Sequence, residues 1–154
     1  MAVSATRGFE FAYNLDGSSN PPVARDLPFA GGAAYAVGDL FYLEATNGYA
    51  TVCAGTAGTF VGVLAEPTLA ADAAATLRKF YILQSGQVWR VSSDAATISA
   101  VRGNRAVVNL DQNTYDADQT SGGGLTLVGT ASEVDTAGKA VAYVTFTAAK
   151  LQWA

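Results

Sequence analysis

Residues 38–66 read GDLFYLEATNGYATVCAGTAGTFVGVLAE, and the punctuation of this stretch decides the fold class. GDLFYLEA (38–45) and YATVCA (49–54) are short runs of aromatic and aliphatic side chains joined by Asn47-Gly48. That dipeptide is a strong hairpin signal, because both central positions of a type I′ turn need positive φ. GTAGT makes a second turn, and TFVGVLAE (59–66) makes a third strand. Pro67 then stops the pairing, having no N–H to donate.

Outward from this core the text stays short and strand-like. LAADAAAT (69–76) is either a short helix capped by Thr68 or a loop. LRKFYILQ (77–84), QVWRVS (87–92), ATISAV (96–101), RAVVNL (105–110), LTLVGTAS (125–132) and KAVAYVTFTAAKLQW (139–153) read as further strands. Gly86, Ser92-Ser93-Asp94 and Gly103-Asn104 punctuate them. About 8–10 short strands at this spacing predict an all-β sandwich or barrel.

The third strand has an echo. TFVGVLAE (59–66) returns as TLVGTASE (126–133), with Thr, Val, Gly and Glu in matching places. DAAATLRKFYIL (72–83) aligns loosely with DTAGKAVAYVTF (135–146). The echo is either an internal repeat, making two related β units over 38–92 and 93–154, or a chance match between stretches rich in small residues. If it is a repeat, Gly62 and Gly129 are equivalent bulges or tight corners.

Upstream, Phe9, Phe11, Tyr13 and Leu15 alternate on one face of a strand. DGSSNPPVARDLPFAGG (16–32) then reads as an extended connector. Residues 1–37 are therefore expected to form an N-terminal arm and 38–154 the β-domain. Apolar side chains on an arm bury best against a neighbour. Phe9, Phe11, Tyr13, Leu27 and Phe29 are the expected anchors, and Trp153, beside the chain end, an expected subunit contact.

Composition limits the chemistry. The chain of 154 residues carries 9 basic and 13 acidic residues, net −4, with no basic patch of the kind a nucleic-acid binder needs. MAVSATRGFEF lacks a charged segment followed by an apolar one, so no signal peptide is expected. No apolar run reaches the ~18–20 residues of a spanning helix, so no membrane partner is expected. The single Cys53 lies in an apolar strand and reads as a buried inert thiol.

The chain has no histidine, which removes Ser-His-Asp triads, Cys-His pairs and His-ligated zinc. Asp39, Glu44, Glu66 and Glu133 remain as carboxylates for a hydrolase, but no spacing singles out a pair. Asp111, Asn113, Asp116 and Asp118 suit calcium by type. Against the EF-hand pattern, however, Asp116 replaces the essential Gly and Gly122 stands where the bidentate Glu belongs. The 109–124 loop thus reads as a solvated turn-rich segment. The expectation is a non-enzyme without metal or cofactor.

AVGDLFYLEATNGYATVCAGTAGTFVGVLAE (36–66), ATLRKFYILQSGQVWRV (75–91) and LVGTASEVDTAGKAVAYVTF (127–146) together resemble tailed-phage capsid cement proteins, also called decoration or head-stabilising proteins. The resemblance implies a structural virion protein, made in the host cytoplasm and carried on the outer capsid surface. It implies a homotrimer that bridges neighbouring major capsid subunits on the expanded head. The other class that fits is a carbohydrate- or receptor-binding β module of a head fibre, with Tyr35, Tyr42, Tyr49 and Trp89 as stacking faces.

Overall fold

The computed structural model describes residues 8–53, 59–99, 105–106, 113–117 and 124–152. The fold is all-β, as expected. Its strands are β1 (Glu10–Asn14), β2 (Ala24–Phe29), β3 (Leu40–Leu43), β4 (Ala50–Val52), β5 (Gly62–Leu64), β6 (Thr76–Ile82), β7 (Gln87–Ser92), β8 (Arg105–Ala106), β9 (Leu125–Thr130) and β10 (Val141–Phe146). The single helical element among the described residues is the 3-10 turn Ala148–Lys150. Among the described residues no helix is long and apolar enough to cross a membrane.

Five strands close a barrel in the order β2-β4-β3-β5-β6, with β2 pairing back onto β6. The other five form an open sheet in the order β1-β7-β10-β9-β8. Among the described strands every pairing is antiparallel except β2–β4, which meet in parallel at the single pair Phe29↔Ala50; two isolated bridges, Phe60↔Leu151 and Ser93↔Tyr115, are parallel as well.

Period-2 alternation sorts the apolar residues into two cores. Leu27, Phe29, Phe41, Val61, Leu64 and Phe80 fill one cluster. Leu40, Val63, Trp89, Leu127, Val144 and Phe146 fill the other, which joins the barrel strands to the sheet. Leu40 and Phe41 are neighbours on β3 yet serve different clusters, as do Val63 and Leu64 on β5. These strands are buried on both faces, hence their unbroken apolar text. Phe41 packs edge-on against Phe80, Tyr35 and Phe29, with ring centroids 5.0, 5.4 and 6.1 Å apart.

The N-terminal segment is not an arm. β1 is the edge strand of the sheet, paired with β7 from Glu10↔Arg90 to Asn14↔Gln87. β2 is a barrel stave with six residues paired to β6. Gly8 starts this docking: a Cβ there would collide with the Gly38 carbonyl, and the Phe9 N–H donates to Gly38 O at 2.8 Å. Residues 38–92 and 93–154 are not separate units either, since β7 sits in the sheet between β1 and β10.

Three local readings are sharpened or corrected. The hairpin at Asn47-Gly48 forms, but Glu44 N–H closes onto Tyr49 O (3.0 Å), and Gly48 (φ 72°) is its positive-φ residue. Asn47 instead accepts the Tyr49 N–H on its side-chain oxygen at 2.8 Å. Residues 69–75 are turns rather than helix, cross-braced by an Arg78–Asp72 ion pair. Of the strand expected at 96–101, residues 96–99 are bend and loop.

Gly62 and Gly129 are not equivalent. A Cβ on Gly62 would stand 2.9 Å from Tyr81 O and 3.1 Å from Phe80 Cβ, so close strand approach demands the glycine. A Cβ on Gly129 would meet nothing within 4 Å. Gly129 instead adjoins a bulge: Tyr143 pairs with Gly129 and Val144 with Leu127, leaving Val128 as the extra residue.

Candidate functional site

The expected anchors scatter between core and surface. Phe9 and Phe29 are 2% and 1% exposed, and Leu27 is equally enclosed, so all three support the protein's own cores. Their burial leaves them unavailable to a partner, which corrects the expectation of a docking arm. Phe11 is half-buried, its ring edge-on to Trp89 at 5.7 Å. Trp153 lies outside the described residues.

Tyr13 behaves differently. A register shift between Phe11 and Tyr13 makes Ala12 an extra residue in β1. The bulge breaks the alternation, so Phe11 sits opposite buried Trp89 on the inner face while Tyr13 lies opposite Val88. Tyr13 is 45% exposed, with its ring 6.5 Å from that of Tyr143, and Leu15 just beyond is 57% exposed. Glu10 and Arg90 pair at 3.1 Å along the same edge. The β1 edge of the open sheet thus brings together the Tyr13–Tyr143 ring pair, the Glu10–Arg90 ion pair and, just past the strand, the exposed Leu15.

Two grooves flank Pro21-Pro22. One, of about 350 Å³, runs along the seam between sheet and barrel and is lined by Phe9, Phe11, Val37 and Tyr81. The other, of about 570 Å³, lies between the start of the connector and the β6–β7 turn. Its lining is chemically mixed: polar Asn14, Asp16, Gln84 and Gln87 with apolar Pro22 and Val23.

The carboxylates do not assemble. Glu66 accepts the Lys79 N–H at 2.9 Å, and Glu44 accepts from the Asn47 amide at 3.1 Å. Buried Asp39 accepts the Ala36 N–H (3.2 Å) and the Asn113 amide (3.4 Å). Glu44 works on its own turn, while Glu66 reaches a backbone amide on β6 and Asp39 the distant Asn113 side chain. Asp111 and Asp118 lie outside the described residues, and among the described residues no three ligating side chains come together.

Two buried polar groups instead brace the end of the sheet. Asp135 accepts from Ser92 Oγ (2.7 Å), Ala137 N–H (2.8 Å) and Lys139 N–H (3.0 Å). Burial pushes its carboxyl up, but these hydrogen bonds and the charge of Arg90 outweigh it and hold the group below the usual carboxylate range. Tyr115 bridges to Ser93, and its buried hydroxyl has no hydrogen-bond partner among the described residues. Burial and the charge of Asp116 push that phenol up to about 12, so it stays neutral. Cys53 is fully buried and its thiol is pushed up by desolvation, which makes it a packing residue.

The four aromatics expected as stacking faces do not form one. Trp89 is 1% exposed, Tyr35 packs into the barrel cluster and Tyr42 against the other cluster. Tyr49 is half-buried beside the β3–β4 hairpin. No protein-family model and no curated protein matches this chain.

Proposed function

We propose that this protein is a structural virion component that binds the outer surface of an expanded phage capsid and stabilises it by bridging neighbouring major capsid subunits. One observation carries the reading: the bulge at Ala12 turns Tyr13 onto the outer face beside Tyr143, next to exposed Leu15, on the edge strand of an open sheet. Aromatic and apolar groups held out by a strand are inexpensive to desolvate against a partner, and an edge strand accepts backbone pairing. The segments that resemble capsid cement proteins contain β3 to β7, β9 and β10, so the resemblance spans both the barrel and the sheet.

The net charge of −4 suits the outside of a DNA-filled shell better than its inside. Assembly as a trimer would carry three such faces on one particle. Contacts of modest strength then act together through effective concentration. Because Phe9, Leu27 and Phe29 serve the protein's own cores, the docking surface in this reading is the outer face of β1 and not a peeled arm.

Cosedimentation of the purified protein with cement-free heads, compact and expanded, tests the reading. Saturable binding to expanded heads alone is the expected result. Absence of binding to both forms overturns it.

A further inference from the structure

The tip of the β3–β4 hairpin holds a reactive pair that the capsid reading does not use. Asn47 is the one asparagine of the chain that precedes a glycine. Gly48 has no Cβ, so its backbone nitrogen can approach the Asn47 side-chain carbon without crowding. Both residues are exposed. The turn nevertheless engages each group that a reaction between them needs. Gly48 N–H donates to Glu44 O at 2.8 Å. Asn47 Oδ1 accepts the Tyr49 N–H at 2.8 Å, and Asn47 Nδ2 donates to the Glu44 carboxylate at 3.1 Å. Glu44 thus holds the tip twice, through its carbonyl and through its side chain.

We propose that Asn47 is a site of spontaneous deamidation, gated by these three hydrogen bonds. In the reaction the Gly48 nitrogen attacks Asn47 Cγ. The N–Cγ bond forms, the Cγ–Nδ2 bond breaks, and Nδ2 leaves as ammonia with the proton given up by the Gly48 nitrogen. Water then opens the cyclic imide at either carbonyl and leaves an aspartate or an isoaspartate; nothing is oxidised or reduced. Ring closure needs the Asn47 side chain to swing onto the Gly48 nitrogen, and that nitrogen to lose its proton. All three hydrogen bonds must therefore yield first. They lie at an exposed tip, where local opening costs far less than global unfolding. The product does not close the gate again. It puts an acid where Nδ2 donated, so the contact with Glu44 becomes a like-charge pair. The site is independent of the capsid reading: cosedimentation and deamidation succeed or fail separately.

The test follows conversion of the full-length protein in mildly alkaline buffer by peptide mapping with mass detection. Three samples are compared: folded parent, urea-unfolded parent and folded Glu44→Ala. Asn47 is expected to convert ahead of every other asparagine in the folded parent, and at least about tenfold more slowly there than in the unfolded chain. Glu44→Ala removes the carboxylate and keeps the backbone carbonyl. It is expected to convert about three- to tenfold faster than the folded parent, the worth of one hydrogen bond. A urea midpoint matching the parent's is expected with it, so that the acceleration reports the tip and not global unfolding. The proposal is overturned if another asparagine converts first, if folded and unfolded parent convert at the same rate, or if Glu44→Ala converts no faster than the parent. The comparison of folded with unfolded parent decides without the variant, should Glu44→Ala fail to fold.

Discussion

The barrel closes on itself, and the sheet beside it does not. Closure leaves the barrel without free edges and gives each stave two neighbours, at the cost of tight strand approaches such as that at Gly62. The sheet keeps two edge strands, β1 and β8, and bulges in both the β1–β7 and β9–β10 pairings. Bulges twist an edge away from indiscriminate pairing and re-aim side chains. The one at Ala12 does so for Tyr13. Among the described residues only the sheet keeps unpaired strand edges, while exposed apolar side chains occur on both regions, Tyr13 and Leu15 at the β1 edge and Leu77 on β6. The N-terminal segment belongs to both, with β1 in the sheet and β2 in the barrel.

The largest expected effect comes from breaking that link. Removing residues 1–30 deletes β1 and β2 and takes Phe9, Leu27 and Phe29 out of the two cores. Each large buried side chain is worth about 2–5 kcal/mol, against a total stability of about 5–15 kcal/mol. The truncated protein is expected to lose its cooperative thermal transition, followed by circular dichroism. A truncated protein that still melts cooperatively would show that the barrel closes without β2.

The two echoing glycines separate the regions more finely. Gly62→Ala forces a methyl against the Tyr81 carbonyl and is expected to cost about 1–3 kcal/mol. Gly129→Ala points into open space and is expected to stay within about 0.5 kcal/mol of the parent. Urea denaturation of both variants reads this directly. Equal costs would restore the two glycines as equivalent corners and undo the contrast between barrel and sheet.

Acid should act through the sheet. The Asp135 carboxyl titrates below the ordinary aspartate value of about 3.9 in the folded protein. Its contribution is therefore complete above that pH and is lost as pH falls through the lower folded value. Asp135→Asn keeps the shape of the side chain but not the charge. It is expected to be less stable than the parent at neutral pH, with the gap closing below about pH 4. Denaturant midpoints at neutral and acid pH measure this, and a gap that persists unchanged in acid would assign the loss to shape rather than charge.

All-β character was legible because period-2 alternation and turn chemistry are local. The Asn47-Gly48 hairpin and the burial of Cys53 were legible for the same reason. The role of residues 16–32 was not. Pro28 argues against a central strand, yet it pairs with Leu77 in β2. It is tolerated because the far side of β2 meets β4 at only one residue pair, so the barrel is thinnest there. Tyr13 was placed on the wrong face because a bulge leaves no mark in the order of side chains. The polar groove was invisible for a third reason. Asn14 and Gln87 lie far apart in the chain, and only the long-range register of β1 on β7 brings them together.

The smallest expected effect on stability bears most on function. Leu15 is 57% exposed and belongs to neither core cluster. Leu15→Asp should therefore change stability by no more than about 0.5 kcal/mol, as surface substitutions away from the core do. At a docking face the same change buries a carboxylate against apolar surface, which is costly unless the charge finds a partner. If the protein docks as the proposed trimer, the penalty is incurred at three contacts at once, so modest weakening of each contact becomes a large loss of avidity. Cosedimentation of Leu15→Asp with expanded heads is expected to show binding reduced at least tenfold while the melting curve stays put. Full binding by this variant would move the docking surface away from the open edge of the sheet, and the contrast between closed barrel and open sheet would lose its bearing on function.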